Sequence, residues 1–212
     1  MPLTILDITK FYGETTGGIR TYLHQKAAYV NAHPGLRQVI VVPGERSGKR
    51  DEGQVRWYHV GGPRIPTQHP YRLLLNRRAI REIISLEQPD VIEIGSPYLV
   101  PWIVRGAARR RDIPLLLFFH TNFPRIIAPR AGTGALRGTA SRLAWSYVAR
   151  LGAAVDVVLA ASEAAADDLK RAGVPRVRRV SLGVDLQHFH PRRREVPDVR
   201  QANGLPAGPV VM

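Results

Sequence analysis

The 212-residue chain has no cysteine, which excludes both a disulfide framework and a thiolate metal site. Its seven histidines form no ligand-spaced pair such as H-E-x-x-H, so no zinc-enzyme signature is present and no metal is expected. Long apolar runs are also missing. The most apolar stretches, 113–119, 97–104 and 153–161, fall short of the roughly 18 residues a spanning helix requires. The opening MPLTILDITK lacks a charged segment ahead of an apolar one and reads as a short strand, not a secretion signal. These features point to a cytoplasmic chain, with peripheral contact at the inner face of a membrane left open.

Lysine is scarce too. Only Lys10, Lys26, Lys49 and Lys170 occur, against twenty-seven arginines, and the formal net charge is +14. Arginine forks suit phosphate and carboxylate, so the charge points to anionic partners: nucleotide diphosphates, acidic lipid headgroups or nucleic acid. It is equally compatible with a surface merely solvated by arginine. Nucleic acid is disfavoured as a partner, since the basic residues are dispersed and no helix-turn-helix, zinc-finger or aromatic RNA-binding signature appears.

What is present is an alternation of short β-rich runs and helical patterns, the mark of a parallel sheet covered by helices. Strands are expected at 4–9, 38–42, 56–60, 91–94, 115–120, 155–160 and 178–181. LLLFF and VDVVLA are continuously apolar, as strands buried on both faces should be. Helical spacing predicts helices at 18–31, 73–86, 98–110, 136–151 and 163–172, the last with Ser162 as N-cap and Gly173–Pro175 as its stop. The class is α/β, a Rossmann-like doubly wound parallel sheet. One domain is expected over 1–190. Residues 191–212, with Arg192–Arg194, Pro197, Pro206 and Pro209, read as a linker, and Val210–Met212 as the start of a strand belonging to a further domain, which suggests a truncated chain.

Three segments carry chemistry. After the first strand, Gly17 and Gly18 open a helix whose free N–H groups and dipole favour a phosphate, although a Gly-Gly pair also makes a tight turn without any ligand. The spacing of Gly13, Gly17 and Gly18 does not fit the G-x-G-x-x-G of dinucleotide folds. Gly44-Glu-Arg-Ser-Gly48-Lys49-Arg50 is one residue short of a P-loop and has arginine where Ser or Thr should hold magnesium, so it reads as a polar β-turn loop. The second segment, Phe118-Phe119-His120-Thr121-Asn122-Phe123-Pro124, puts His120 at the carboxyl end of a buried strand, where open parallel sheets place their ligand crevice. The third, Ser181–Asp185 followed by Phe189 and Pro191, is on its own a strand end and a turn. The arginine-rich stretch 123–137 is read as a solvated loop, with an anionic membrane or lipid-linked acceptor as the other possibility.

Taken in order, Thr16-Gly17-Gly18-Ile19, F-H-T-N-F-P, Ser162-Glu163 and G-V-D-x-x-x-F-x-P resemble the N-terminal domain of glycosyltransferase family 4, and the likeness runs from Leu3 to Pro191. The resemblance implies the N-terminal half of a GT-B fold. It implies a retaining transfer of a hexose from a nucleotide sugar, such as GDP-mannose or a UDP-sugar, to a sugar or lipid-linked acceptor, without metal or other cofactor. It implies that Gly17 and Gly18 contact the donor diphosphate and that His120 is the catalytic histidine beside the reacting sugar. Thr15, Thr16, Arg20, Ser96 and Asn122 are then the candidates for the acceptor and sugar side. The H-T-x-F-P form is similar to that of lipid-directed mannosyl- and sulfoquinovosyltransferases. Those often carry aspartate where this chain has Asn122, so an acidic role there is not carried over. Family members complete the site with a second, nucleotide-binding domain, so this chain alone is expected to be inactive. The competing reading is a non-catalytic module for an anionic polymer or nucleic acid, whose binding would weaken steeply with salt.

Overall fold

The computed structural model describes residues 2–13, 17–66, 70–187, 189–191 and 204. Among the described residues eight strands form one sheet: β1 Leu3–Ile8, β2 Leu36–Gly44, β3 Gly48–Glu52, β4 Val55–Gly61, β5 Val91–Ile94, β6 Leu115–Phe119, β7 Val157–Ala160 and β8 Val177–Arg179. Their order is β3-β4-β2-β1-β5-β6-β7-β8, parallel throughout except for β3, which pairs antiparallel with β4. The six helices among the described residues are α1 Gly18–Asn31, α2 Arg77–Glu87, α3 Val100–Arg109, α4 Phe123–Arg130, α5 Gly134–Ala154 and α6 Glu163–Arg171. The α/β, Rossmann-like expectation is met.

Alternation along the strands divides the core in two. On one face Leu23, Ala27 and Val30 of α1 pack on Ile40, Val42, Val55 and Trp57. On the other, Ile80 and Ile84 of α2, Val104 and Ala108 of α3, Val148 and Leu151 of α5, and Leu169 of α6 pack on Leu6, Ile8, Ile92, Leu117 and Val158. The chain therefore winds one way from β1 to β2 and the other way from β5 onward. The topological switch falls between β1 and β5.

The face of α1 also buries charge. Lys26 of α1 donates to Asp7 on β1 at 2.7 Å and to Glu93 on β5 at 2.9 Å, Tyr22 donates to Glu93 at 2.8 Å, and the Gln38 amide donates to Asp7 at 2.6 Å. Buried charges persist only when paired and hydrogen-bonded, so this cluster fixes α1 across the switch point. Burial pushes the Asp7 carboxyl up to about 6, against the pull of Lys26. Burial opposes the Lys26 charge, but Asp7 and Glu93 outweigh it and hold the ammonium above the usual lysine range.

Three expectations are corrected. The turn loop expected at 44–50 gives way at Gly48 to β3, an edge strand of charged and polar residues held by pairing with β4. The stretch 123–137 is not a solvated loop: it contains α4 and the start of α5. Asn122 caps α4 with its side-chain oxygen toward the Arg125 N–H, and Pro124 occupies the first turn, where its missing N–H costs nothing. α2 begins at Arg77 and not at Leu73, because the Asn76 side chain accepts from the Ala79 N–H at 3.0 Å and starts the helix there; Leu74 is buried from the preceding loop. Ser162 caps α6 as expected, accepting from the Ala165 N–H at 3.2 Å.

Residues 1–181 form one compact unit and 182–212 a second. Within the second, Asp185 closes a turn, its carboxylate accepting from the Gln187 N–H at 2.9 Å and its carbonyl from the Phe189 N–H at 2.8 Å. The remainder of the expected linker, 192–203 and 205–209, and the strand start at 210–212 lie outside the described residues.

Candidate active site at the carboxyl edge of the sheet

The carboxyl ends of β1, β5 and β6 meet at one peptide. The Gly95 carbonyl, just after β5, accepts from the Thr9 hydroxyl at 3.3 Å and from His120 Nε2 at 3.0 Å. The next side chain, Ser96, is buried and its hydroxyl accepts from the Lys10 N–H at 3.0 Å. Ser96 and His120 therefore share an edge at the switch point, as the strand-end rule requires.

The bond to a carbonyl requires His120 Nε2 to carry the proton, which leaves Nδ1 to accept from the Thr121 hydroxyl at 2.9 Å. Both ring nitrogens are thus engaged in a neutral tautomer. Burial holds the pKa of His120 below the ordinary histidine value, with the Gly95 bond pulling the other way. A neutral, oriented imidazole can donate or accept a hydrogen bond from a bound sugar by exchanging one of these partners, Thr121 being the exposed one.

Gly17 forms the N-cap of α1 with φ +108° and ψ 144°, a conformation that side chains other than glycine rarely adopt. Gly18 has no such constraint, and a Cβ there would meet nothing within 4 Å. The special backbone is therefore at the first glycine of the pair. A Cβ on Gly17 would sit 3.6 Å from the Tyr71 hydroxyl. Tyr71 packs edge-on against Phe11, Phe11 against Tyr98, and Tyr98 against Phe123 of α4, so aromatic contacts run from the glycine turn to the segment after His120. Among the described residues no side chain caps α1 at Gly17, and its first turn holds no acidic residue. Arg20, in that turn, has a buried Nε without a hydrogen-bond partner among the described residues. A helix start with no cap among the described residues and an unpartnered Arg20 Nε in its first turn favours an anion.

Asn122 is already committed: besides capping α4, its amide donates to Asp168 of α6 at 2.8 Å. Asp168 is buried and also accepts from Arg125 at 3.0 Å and from Arg171 at 2.6 Å. Burial opposes its ionisation, but Arg125 and Asn122 bind the charged form and hold its pKa below the ordinary aspartate value. Thr15 and Thr16 lie outside the described residues.

Two residues at this edge carry no sequence signal. Asp168 sits in an ordinary alanine-rich helical run, and Lys10 is simply the residue after a strand. Lys10 extends its ammonium over the rings of Phe11 and Tyr98, 4.6 and 4.1 Å from their centroids, and has no carboxylate partner among the described residues. Burial holds its pKa below the usual lysine value.

The trehalose 6-phosphate synthase of Burkholderia multivorans superposes on 96% of this chain and 55% of its own, with a TM-score of 0.53 at 14% identity. UGT89C1 of Arabidopsis thaliana, solved with UDP, covers 99% and 55% with the same TM-score at 13% identity. Such likeness shows the fold alone, and it defines the class: a Rossmann-like half of the GT-B architecture. The profile of Glycosyltransferase Family 4 matches residues 16–188, and the chain belongs to that family. A GDP-mannose-dependent alpha-mannosyltransferase of Mycobacterium tuberculosis is 34% identical over 77% of this chain and 44% of its own length. A GDP-mannose-dependent alpha-(1-6)-phosphatidylinositol dimannoside mannosyltransferase of the same species is 28% identical over 91% and 49%. The sulfoquinovosyl transferase of Arabidopsis thaliana is 31% identical over 68% and 28%. The chain spans about half the length of the mannosyltransferases it matches.

Proposed function

We propose that this domain forms the acceptor-side wall of a cytoplasmic, retaining hexosyltransferase. A nucleotide sugar, GDP-mannose or a UDP-sugar, donates the hexose to a lipid-linked or polysaccharide acceptor, and a second domain binds the nucleotide. The observation that carries this reading is the turn at Gly17, uncapped among the described residues and followed in the first helical turn by the unpartnered Arg20 Nε, on the sheet edge that also presents His120.

In transfer, the bond from the anomeric carbon to the diphosphate oxygen breaks, the acceptor oxygen bonds to that carbon on the same face, and its hydroxyl proton passes to the departing diphosphate. Charge builds on the departing diphosphate, where the N–H groups of Gly17 and Gly18 and the Arg20 guanidinium stabilise it with fixed donors. His120 holds the sugar by a hydrogen bond that replaces the Thr121 contact, so orientation is set before reaction. These groups meet the leaving-group charge without a metal ion being assigned a role.

On this reading the second domain supplies donor contacts of its own, so the 212-residue chain assayed with GDP-mannose or UDP-sugars should give no steady turnover, and joining it to a donor-binding domain should restore transfer. Steady product formation by the chain alone would contradict this reading.

A further inference from the structure

No acidic residue lies between Asp112 and Asp156, while Arg125, Arg130, Arg137, Arg142 and Arg150 do. This acid-free stretch contains β6, the His120 edge, and α4 and α5. Of its five arginines, only Arg125 makes an ion pair among the described residues, with Asp168. Elsewhere several arginines are neutralised: Arg37 and Arg56 share Glu87, Arg56 also binds Asp51, and Arg78 binds Glu82.

Exposed apolar side chains gather on the same helices. Leu136 and Leu143 are 71% and 67% exposed and stand two turns apart on α5; Ile126 and Ile127 of α4 are 44% and 40% exposed. At helical spacing, Leu136, Thr139, Leu143, Ser146 and Arg150 form one exposed stripe of α5, opposite the buried Ala144, Val148 and Leu151. Between α4 and α5 runs an open groove of about 670 Å³ lined by Arg125, Pro129, Arg137, Ser141 and Trp145 among others. Leucine and isoleucine interleaved with unpaired arginines, with no carboxylate between them, match the apolar boundary and negative headgroups of an anionic lipid surface.

We propose that the exposed face of α4 and α5 docks on an anionic lipid bilayer, with its leucines and isoleucines at the acyl boundary and Arg130, Arg137 and Arg142 on headgroup phosphates. Asn122, the cap of α4, follows His120 by two residues, so docking holds the carboxyl edge of the sheet at the membrane, where a lipid-linked acceptor resides. The proposal deepens the lipid-acceptor part of the proposed function, but the test needs no activity and so can fail independently of it.

The test is co-sedimentation of the 212-residue chain with phosphatidylcholine vesicles, with and without about 30% phosphatidylglycerol. Two variants alter the face, Leu136→Ser/Leu143→Ser and Arg130→Gln/Arg137→Gln/Arg142→Gln, and a third alters the other basic run, Arg192→Gln/Arg193→Gln/Arg194→Gln. The expected result is binding to the anionic vesicles only, weakened at least about ten-fold by each face variant and less than about three-fold by the tail variant. All these side chains on the helices are exposed, so melting temperature should stay near that of the parent; if the leucine double variant melts early, Leu136→Ser alone decides. Equal binding to neutral vesicles, no binding to anionic ones, or binding lost only with the tail variant would overturn the proposal. So would binding of a DNA duplex in place of vesicles, which would return the charge to the polymer-binding reading.

Discussion

The two faces of this domain treat charge in opposite ways. At the switch point between β1 and β5, Asp7, Lys26 and Glu93 are buried and every formal charge has a partner within 2.9 Å. Along α4 and α5 the arginines are exposed and four of five have no carboxylate partner among the described residues. Buried charges must be paired to be tolerated, whereas exposed ones are solvated at little cost and remain free to meet an outside anion. The first region therefore holds the backbone in place, and the second is available for binding.

The comparison breaks most visibly at Lys26. Lys26→Met leaves Asp7 and Glu93 buried side by side without a cation, and unfolding stability at pH 7 should fall by about 3–5 kcal/mol. The loss should shrink as pH drops from 7 to 5, because protonation of the Asp7 carboxyl relieves it. In the parent chain Asp7 titrates at about 6 when folded and near 3.8 as a free carboxyl. Between those values the folded chain holds more protons, so this group's contribution to stability falls as pH rises through that window. Denaturant melts of both proteins from pH 4 to 7 check the sign; a variant penalty that does not change with pH would contradict the paired-charge account.

The next effect separates the two glycines. Gly17→Ala forces a Cβ into φ +108° and should cost about 1–2 kcal/mol of stability. Gly18→Ala meets open space and should be neutral or slightly stabilising in thermal melts. If the turn is only structural, donor binding in an active enzyme carrying this domain should follow stability. If it is an anion site, Gly18→Val should weaken donor binding without lowering the melting temperature.

A smaller change sharpens the comparison at the start of α4, where the one arginine of the second region that is paired among the described residues lies. Asp168→Asn removes the anion that Asn122, Arg125 and Arg171 share and should cost about 1 kcal/mol, given how exposed the two arginines are. Because Asp168 titrates below the ordinary value, its contribution is present above about pH 4 and is lost as pH falls. The parent-minus-variant stability difference should therefore narrow on acidification, as it does at Lys26, but below about pH 4 and not between 7 and 5.

Much of the fold was legible in the sequence where apolar pattern and local stops agree. α1 at Gly18–Asn31 and β5 at Val91–Ile94 have the bounds expected from spacing, and the other expected strands fall within two residues. β3 was not legible: GKRDE offers no apolar alternation, and pairing with β4 alone makes it a strand. α4 was hidden by Pro124 and Pro129, although Asn122 followed by proline in the first turn is a start signal that could have exposed it. At the site, His120 and the glycine pair stood out because each interrupts a regular pattern. The partners that orient His120 and Asn122, Gly95 and Asp168, could not be read, since they lie 25 and 46 residues away and meet only once the strands pair.

The central claim is that the His120 edge is where the sugar is held. The most direct measurement takes His120→Ala in an active enzyme carrying this domain and reads melting temperature and single-turnover rate on one sample. If the imidazole orients the sugar, kcat and kcat/KM should fall together by the equivalent of about 2–4 kcal/mol in the barrier with KM little changed. A mutant that melts early yet turns over normally would contradict it, and would leave His120 as no more than a bridge between β6 and Gly95.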